Sequence, residues 1–118
     1  MNWYLAKIVF QIICGDGQHQ AQFDEQLRLI QASGKQAAFA KATAIGKSEE
    51  DRFFNIHQQP VHWKFINVSE LYRMEELLDG AEIYSKIKEA EDATEYASLI
   101  HNRASIILTN NQESLTLI

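Results

Sequence analysis

One cysteine, one proline and five glycines stand among 118 residues, and each scarcity excludes something. A lone Cys14 cannot close an intrachain disulfide, so a disulfide scaffold is ruled out. A free thiol fits a reducing compartment. So little proline and glycine leaves room for few, short loops and for no linker. A basic surplus is missing as well. Eleven Lys and Arg against sixteen Asp and Glu give a net charge of −5, the wrong sign for a general binder of nucleic-acid backbones. Lys7 and Gln11 interrupt the apolar start of the chain, and no basic residue precedes it. The run is neither a secretory signal nor close to the ~20 residues of a membrane helix. A cytoplasmic chain with no membrane partner is expected. There is no P-loop, no other glycine-rich phosphate loop and no nucleophile elbow.

What is present is a globular composition, 46% hydrophobic and 23% charged. One domain spanning 1–118 is expected. Residues 3–14 alternate, with Tyr4, Ala6, Ile8, Phe10, Ile12 and Cys14 all apolar on one side, and they read as a strand. Gly15-Asp16-Gly17 marks a turn. Residues 23–32 fit a helix through Phe23, Leu27 and Ile30, and a strand through Phe23, Leu27 and Leu29. Ser33 with Gln36 three residues on predicts a capping box and a helix to about Ser48. Its stripe is Ala38, Phe39, Ala42, Ile45 and Gly46, mostly small, which suits close approach to a sheet. Phe53, Phe54 and Ile56 open a new apolar stretch, and Gln58-Gln59-Pro60 turns it. Val61, Trp63 and Phe65 then alternate as a strand. Residues 69–78 fit either a capped helix or a continued strand. Asp79-Gly80 signals a hairpin into a last strand, in which Ala81, Ile83, Ser85 and Ile87 alternate with Glu82, Tyr84, Lys86 and Lys88. Asp92 caps a helix with the stripe Tyr96, Ile100, Ala104, Ile107 and Leu108. Asn110-Asn111 ends it, and residues 113–118 fray or add a strand edge.

Several of these pieces, in this order and spacing, resemble the domain of unknown function 4288 family of bacterial proteins. They are Trp3-Tyr4 with Ala6-Lys7, Phe23-Asp24-Glu25 with Ala32, Glu49-Glu50, Asn55, Val61 with Trp63-Lys64-Phe65, and Asp79-Gly80-Ala81-Glu82-Ile83-Tyr84-Ser85. The resemblance covers residues 3–88 and leaves 89–118 as an added helix and tail. It implies that residues 23–32 are a strand and that residues 61–72 are largely extended. A Gly-Glu pair is expected where this chain has Gln58-Gln59-Pro60. Acidic residues are expected at Lys35-Gln36, and an arginine at Lys86. The family carries no assigned activity, so no catalytic residue follows from it.

The titratable residues form no recognisable catalytic set. His57 and His62 flank one turn, but a structural zinc site wants four ligands, and Cys14 has no partner at ligand spacing. Turn histidines are the plain reading, and His19 and His101 need no special role. On the apolar side of its strand, Cys14 behaves as a small hydrophobe. Most carboxylates read as a solvated face, and those around Asp92 suit a helix N-terminus. No metal, no cofactor and no catalytic residue is expected.

The expected fold is α+β: a mostly antiparallel five-stranded sheet in chain order β-β-α-β-β-β, one helix packed on a face, and a C-terminal helix. If Leu27 and Leu29 share the helix side with Tyr4–Cys14, Val61–Phe65 and Ile83–Ile87, the opposite face carries Lys7, Arg28, Lys64, Glu82, Tyr84 and Lys86. Trp3, Leu5, Val9, Ile13 and Ile66 join them there. A face this apolar needs a cover, either the C-terminal helix or a second subunit. Lys7, Arg28, Trp63, Lys64, Glu82 and Tyr84 are the candidate ligand or interface residues. Two functions compete. One is a non-enzymatic interaction module that forms a homodimer or holds an unidentified protein partner. The other is a small-molecule binder or enzyme built on the polar cluster, which requires those side chains to share one face.

Overall fold

The computed structural model describes residues 1–109. The chain divides into two compact units, Met1–Ser85 and Lys86–Ile118. The first unit is a four-stranded antiparallel sheet with one helix. Its elements are β1 (Asn2–Cys14), β2 (Gln22–Ala32), α1 (Lys35–Ser48), β3 (Asp51–Phe54) and β4 (Pro60–Met74). The strands lie in the order β2-β1-β4-β3. The second unit contains α2 (Ala93–Thr109).

The expected strand at residues 81–88 does not form. Residues 81–91 belong to no helix or strand, so among the described residues the sheet has four strands and not five. The turn signal at Asp79-Gly80 is real. The Ala81 N–H donates to the Leu78 carbonyl at 3.0 Å, and Gly80 takes the positive φ that this turn demands. Period-two alternation supplies a side-chain pattern, but a strand also needs a ladder partner.

β1 is central, and its even side is the core. Tyr4, Ala6, Ile8 and Phe10 form one buried cluster with Ile30, Ala32, Val68, Ala38 and Ala42. Burying each of the large side chains is worth about 1.5–3 kcal/mol. α1 is set against a curled sheet rather than on a flat face, touching β1, β2 and β4. Ala38, Ala42 and Gly46 are its buried residues. Phe39, expected in that stripe, is 43% exposed. The predicted Ser33 capping box is not used, because Gly34 is the N-cap and no side chain caps the helix.

β2 pairs antiparallel with β1, and β4 runs to Met74, so the extended reading of residues 69–74 is the correct one. The register between β1 and β4 shifts twice, between Lys7 and Ile8 and between Val9 and Phe10. Ser69 and Ile66 are the residues left over. Each bulge reverses the parity of β4. Val61, Trp63 and Phe65 therefore share a side with Val68 and then with Leu71.

The β3–β4 loop is held by Asn55. Its Oδ1 accepts from the His57 and Gln59 N–H groups at 2.9 and 3.0 Å. Gln58 has φ +62°, the left-handed region that favours glycine. That strain accounts for the glycine expected near this position.

Within the second unit, Asp92 caps α2 as anticipated, accepting from the Thr94 and Glu95 N–H groups. Lys88 lies 5.4 Å from the Tyr96 ring. No residue of α2 is buried. The expectations for Asn110-Asn111 and residues 113–118 fall outside the described residues.

Two substitutions test this packing. A methyl group at Gly46 runs into the Phe65 ring. Gly46→Ala should therefore cost about 1–3 kcal/mol in denaturant unfolding, although alanine is the better helix former by ~1 kcal/mol. An unchanged or higher midpoint would show that α1 has slack. Gln58→Gly should raise stability by up to about 1 kcal/mol by relieving the left-handed backbone. A loss of stability would mean that the Gln58 side chain matters more than its φ.

Candidate functional site

Residues paired directly across an antiparallel ladder point to the same side. Tyr4 faces Ile30 and Ala6 faces Arg28, so Arg28 lies on the α1 side and Leu27 and Leu29 on the other. The assignment made from composition is thereby reversed, since a one-residue change of register exchanges every side chain between faces. Trp63 also lies on the α1 side, partly buried against the core. Lys7 and Lys64 occupy the second face, opposite Glu70 and Gln11. The six candidate residues are scattered over both faces and form no single cluster.

Lys7 and Tyr84 do meet. The Lys7 Nζ lies 3.0 Å from Glu70 Oε2 and 5.9 Å from the centre of the Tyr84 ring. The Tyr84 ring meets Tyr72 edge to face, with centroids 5.5 Å apart. This contact lays the segment after β4 over the Leu5–Tyr72 end of the second face. Leu5 and Met74, both on that face, are buried. The partial cover of the second face is thus an irregular strap without a ladder.

The electrostatics are consistent with a structural centre. The hydrogen bond from Lys7 to Glu70 raises the lysine above its ordinary 10.5, against some desolvation and with help from the charges of Glu70, Glu25 and Tyr84. Desolvation raises the Tyr72 phenol above 10.0, and the charge and hydrogen bond of Glu70 add to it. Lys7 spends its charge on Glu70 and its approach on Tyr84. Beside the strap lies an open cleft of about 770 Å³, lined by Tyr72, Arg73, Glu82, Ile83 and Tyr84 among others. Glu82 is the last of the candidates, and it lines this cleft.

On the α1 side a polar row runs along β2. Gln26 Nε2 donates to Asp24 at 2.5 Å, and Arg28 donates to Gln26 Oε1 at 2.7 and 3.2 Å. Arg28 also pairs with Glu49. Glu50 pairs with His62 at 3.1 Å. These acids are not a plain solvated face, although pairs this exposed contribute about 1 kcal/mol or less. Asp24, Gln26, Glu49 and Glu70 were missed from sequence. The spacing of two from Asp24 to Gln26 to Arg28 is the signal that a strand over residues 23–32 makes available.

His19 closes the β1–β2 loop. Its Nε2 accepts from the Cys14 N–H at 3.0 Å, and Nδ1 is 2.8 Å from the Gln20 carbonyl. Among the described residues no group of three or more His, Cys, Asp or Glu is placed to hold a metal ion, and no helix is long and apolar enough to cross a membrane.

The Lys7 centre carries a signed pH prediction. Folding raises both the lysine and the tyrosine, so the native state holds these protons more tightly. The stability they contribute is complete below the unfolded values and is lost as pH climbs through the higher folded ones. Glu70→Gln should unfold more easily near neutrality and lose less stability than the parent as pH rises past 10.5. Parallel pH profiles would remove Glu70 from this role.

The comparisons agree with the geometry of the first unit. No curated protein and no solved structure matches the chain. One family model matches, a domain of unknown function, over residues 3–85, which is nearly the extent of the Met1–Ser85 unit. With most of its length inside that match, the chain belongs to the domain of unknown function 4288 family.

Proposed function

We propose that this chain is a non-enzymatic interaction module that self-associates, most simply as a homodimer. One observation carries the reading. Phe23, Leu27 and Leu29 line the second face of β2 and are 54%, 49% and 51% exposed. Three large half-exposed apolar side chains on one face of a strand, with Glu25 between Phe23 and Leu27, form a surface that gains from a partner. The Lys7 centre supports the same reading, because its charged and aromatic groups are satisfied among themselves. A cytoplasmic location belongs to this reading and rests on the single free cysteine. Nucleic acid and membrane surfaces are poor partners for a chain of charge −5.

A second reading, small-molecule binding, is favoured by the cleft beside Tyr72 and Tyr84. Native mass spectrometry on gently purified protein separates the two. The interaction reading expects a dimer with no retained mass and no turnover on a broad substrate panel. A monomer that carries a reproducible adduct of a few hundred daltons would replace it with the ligand reading.

A further inference from the structure

We infer that the free edge of β2 pairs antiparallel with β2 of a second copy, across a two-fold axis at Gln26. This inference rests on the self-association proposed above and names its surface. β2 is the outer strand of the sheet. Its ladder with β1 runs through eleven register pairs, Asn2–Ala32 to Ile12–Gln22, with no bulge. Half of its backbone N–H and C=O groups are directed away from β1. Edge strands are normally protected by proline, charged side chains, a bulge, shortness or a covering element. β2 is eleven residues long with no proline, lysine or bulge and has Asp24, Glu25 and Arg28 as its charges, whereas the opposite edge strand β3 has only four residues. At one end Lys41 Nζ donates to the Gln31 carbonyl at 3.0 Å. The open stretch is then residues 22–30, whose midpoint is Gln26.

About its midpoint that stretch matches charge to charge on the α1 side and apolar to apolar at the outer positions of the second face. Asp24 falls opposite Arg28 of the second copy, Phe23 opposite Leu29, and Glu25 opposite Leu27. By symmetry each contact occurs twice. Asp24 and Arg28 are already aligned on one side of the strand by their hydrogen bonds to Gln26. Phe23, Leu27 and Leu29 lie on the other side, half-exposed. The pairing thus continues a charged row on the α1 side and, on the second face, brings the apolar side chains of both copies together with Glu25 among them. Moving the axis to Glu25 or Leu27 separates Asp24 from Arg28. A one-residue slip would set the polar row of one copy against the apolar row of the other.

Charge reversal tests both the edge and its register. Asp24→Arg alone sets two guanidinium groups against each other at each pair, and Arg28→Asp alone sets two carboxylates against each other. In an equimolar mixture of the two variants, the mixed dimer sets both guanidinium groups of one chain against both carboxylates of the other, so both pairs are attractive. The mixture should therefore form a heterodimer in preference to either variant's homodimer. The double variant Asp24→Arg with Arg28→Asp restores both pairs with the charges exchanged. Sedimentation equilibrium should find the parent dimeric, each single variant weakened about tenfold or more, and the double variant dimeric again. If both single variants dimerise like the parent, this edge is wrong while self-association stands. A monomeric parent overturns both. If a variant fails to fold by circular dichroism, Gln26→Cys in a Cys14→Ser background replaces it, because residues on the axis lie within disulfide reach. It should cross-link into a covalent dimer on oxidation far faster than Gln36→Cys on α1. Equal rates would overturn the pairing.

Discussion

The close approach of α1 to the sheet depends on how little side chain the helix presents. Ala38, Ala42 and Gly46 recur every four residues and form its buried side. At Gly46 the space that a methyl group would need is filled by the Phe65 ring. That ring in turn meets Phe10 edge to face, with centroids 6.0 Å apart. The sheet therefore supplies the bulk of the core and the helix supplies the lid. Buried apolar groups outweigh the surface ion pairs here, since a fully buried Phe10 or Ile8 is worth more than an exposed pair such as Arg28–Glu49.

With one side of the sheet occupied by α1, the other side takes up the chemistry that the core excludes. At one end Lys7, Glu70, Tyr72 and Tyr84 form a centre in which charge meets charge and ring meets ring. That centre ties the strap to the sheet. Toward the β2 edge the same face has no comparable strap among the described residues, and Phe23, Leu27 and Leu29 remain half-exposed. The difference between these two regions separates a structural cluster from an apolar surface within one face.

Two bulges explain why this division was hidden. Without Ser69 and Ile66, the alternation of β4 would run unbroken from Val61, and the pairing of Lys7 with Glu70 would be lost. With them, Glu70 reaches Lys7 and Val68 enters the core. Bulges leave no reliable mark in a single sequence, because either residue could equally occupy an ordinary ladder position. The face of β2 was hidden for a related reason. Leu27 and Leu29 look like core residues by composition, but Ile30 and Ala32 are the ones that meet Tyr4 and Asn2 across the ladder.

The sequence by itself determined the local elements: the long first strand, the small-residue helix, the turn at Asp79-Gly80 and the Asp92 cap. Each rests on interactions among near neighbours, which periodicity and capping chemistry encode. Family membership was legible too, since it depends on the order and spacing of short segments. Only the tertiary structure decided which side of β2 is buried, that residues 81–88 lack a ladder, and that Lys7 is paired with Glu70. Those outcomes depend on register and on which strand finds a neighbour. A shift of a single residue reverses them without changing the hydrophobic pattern.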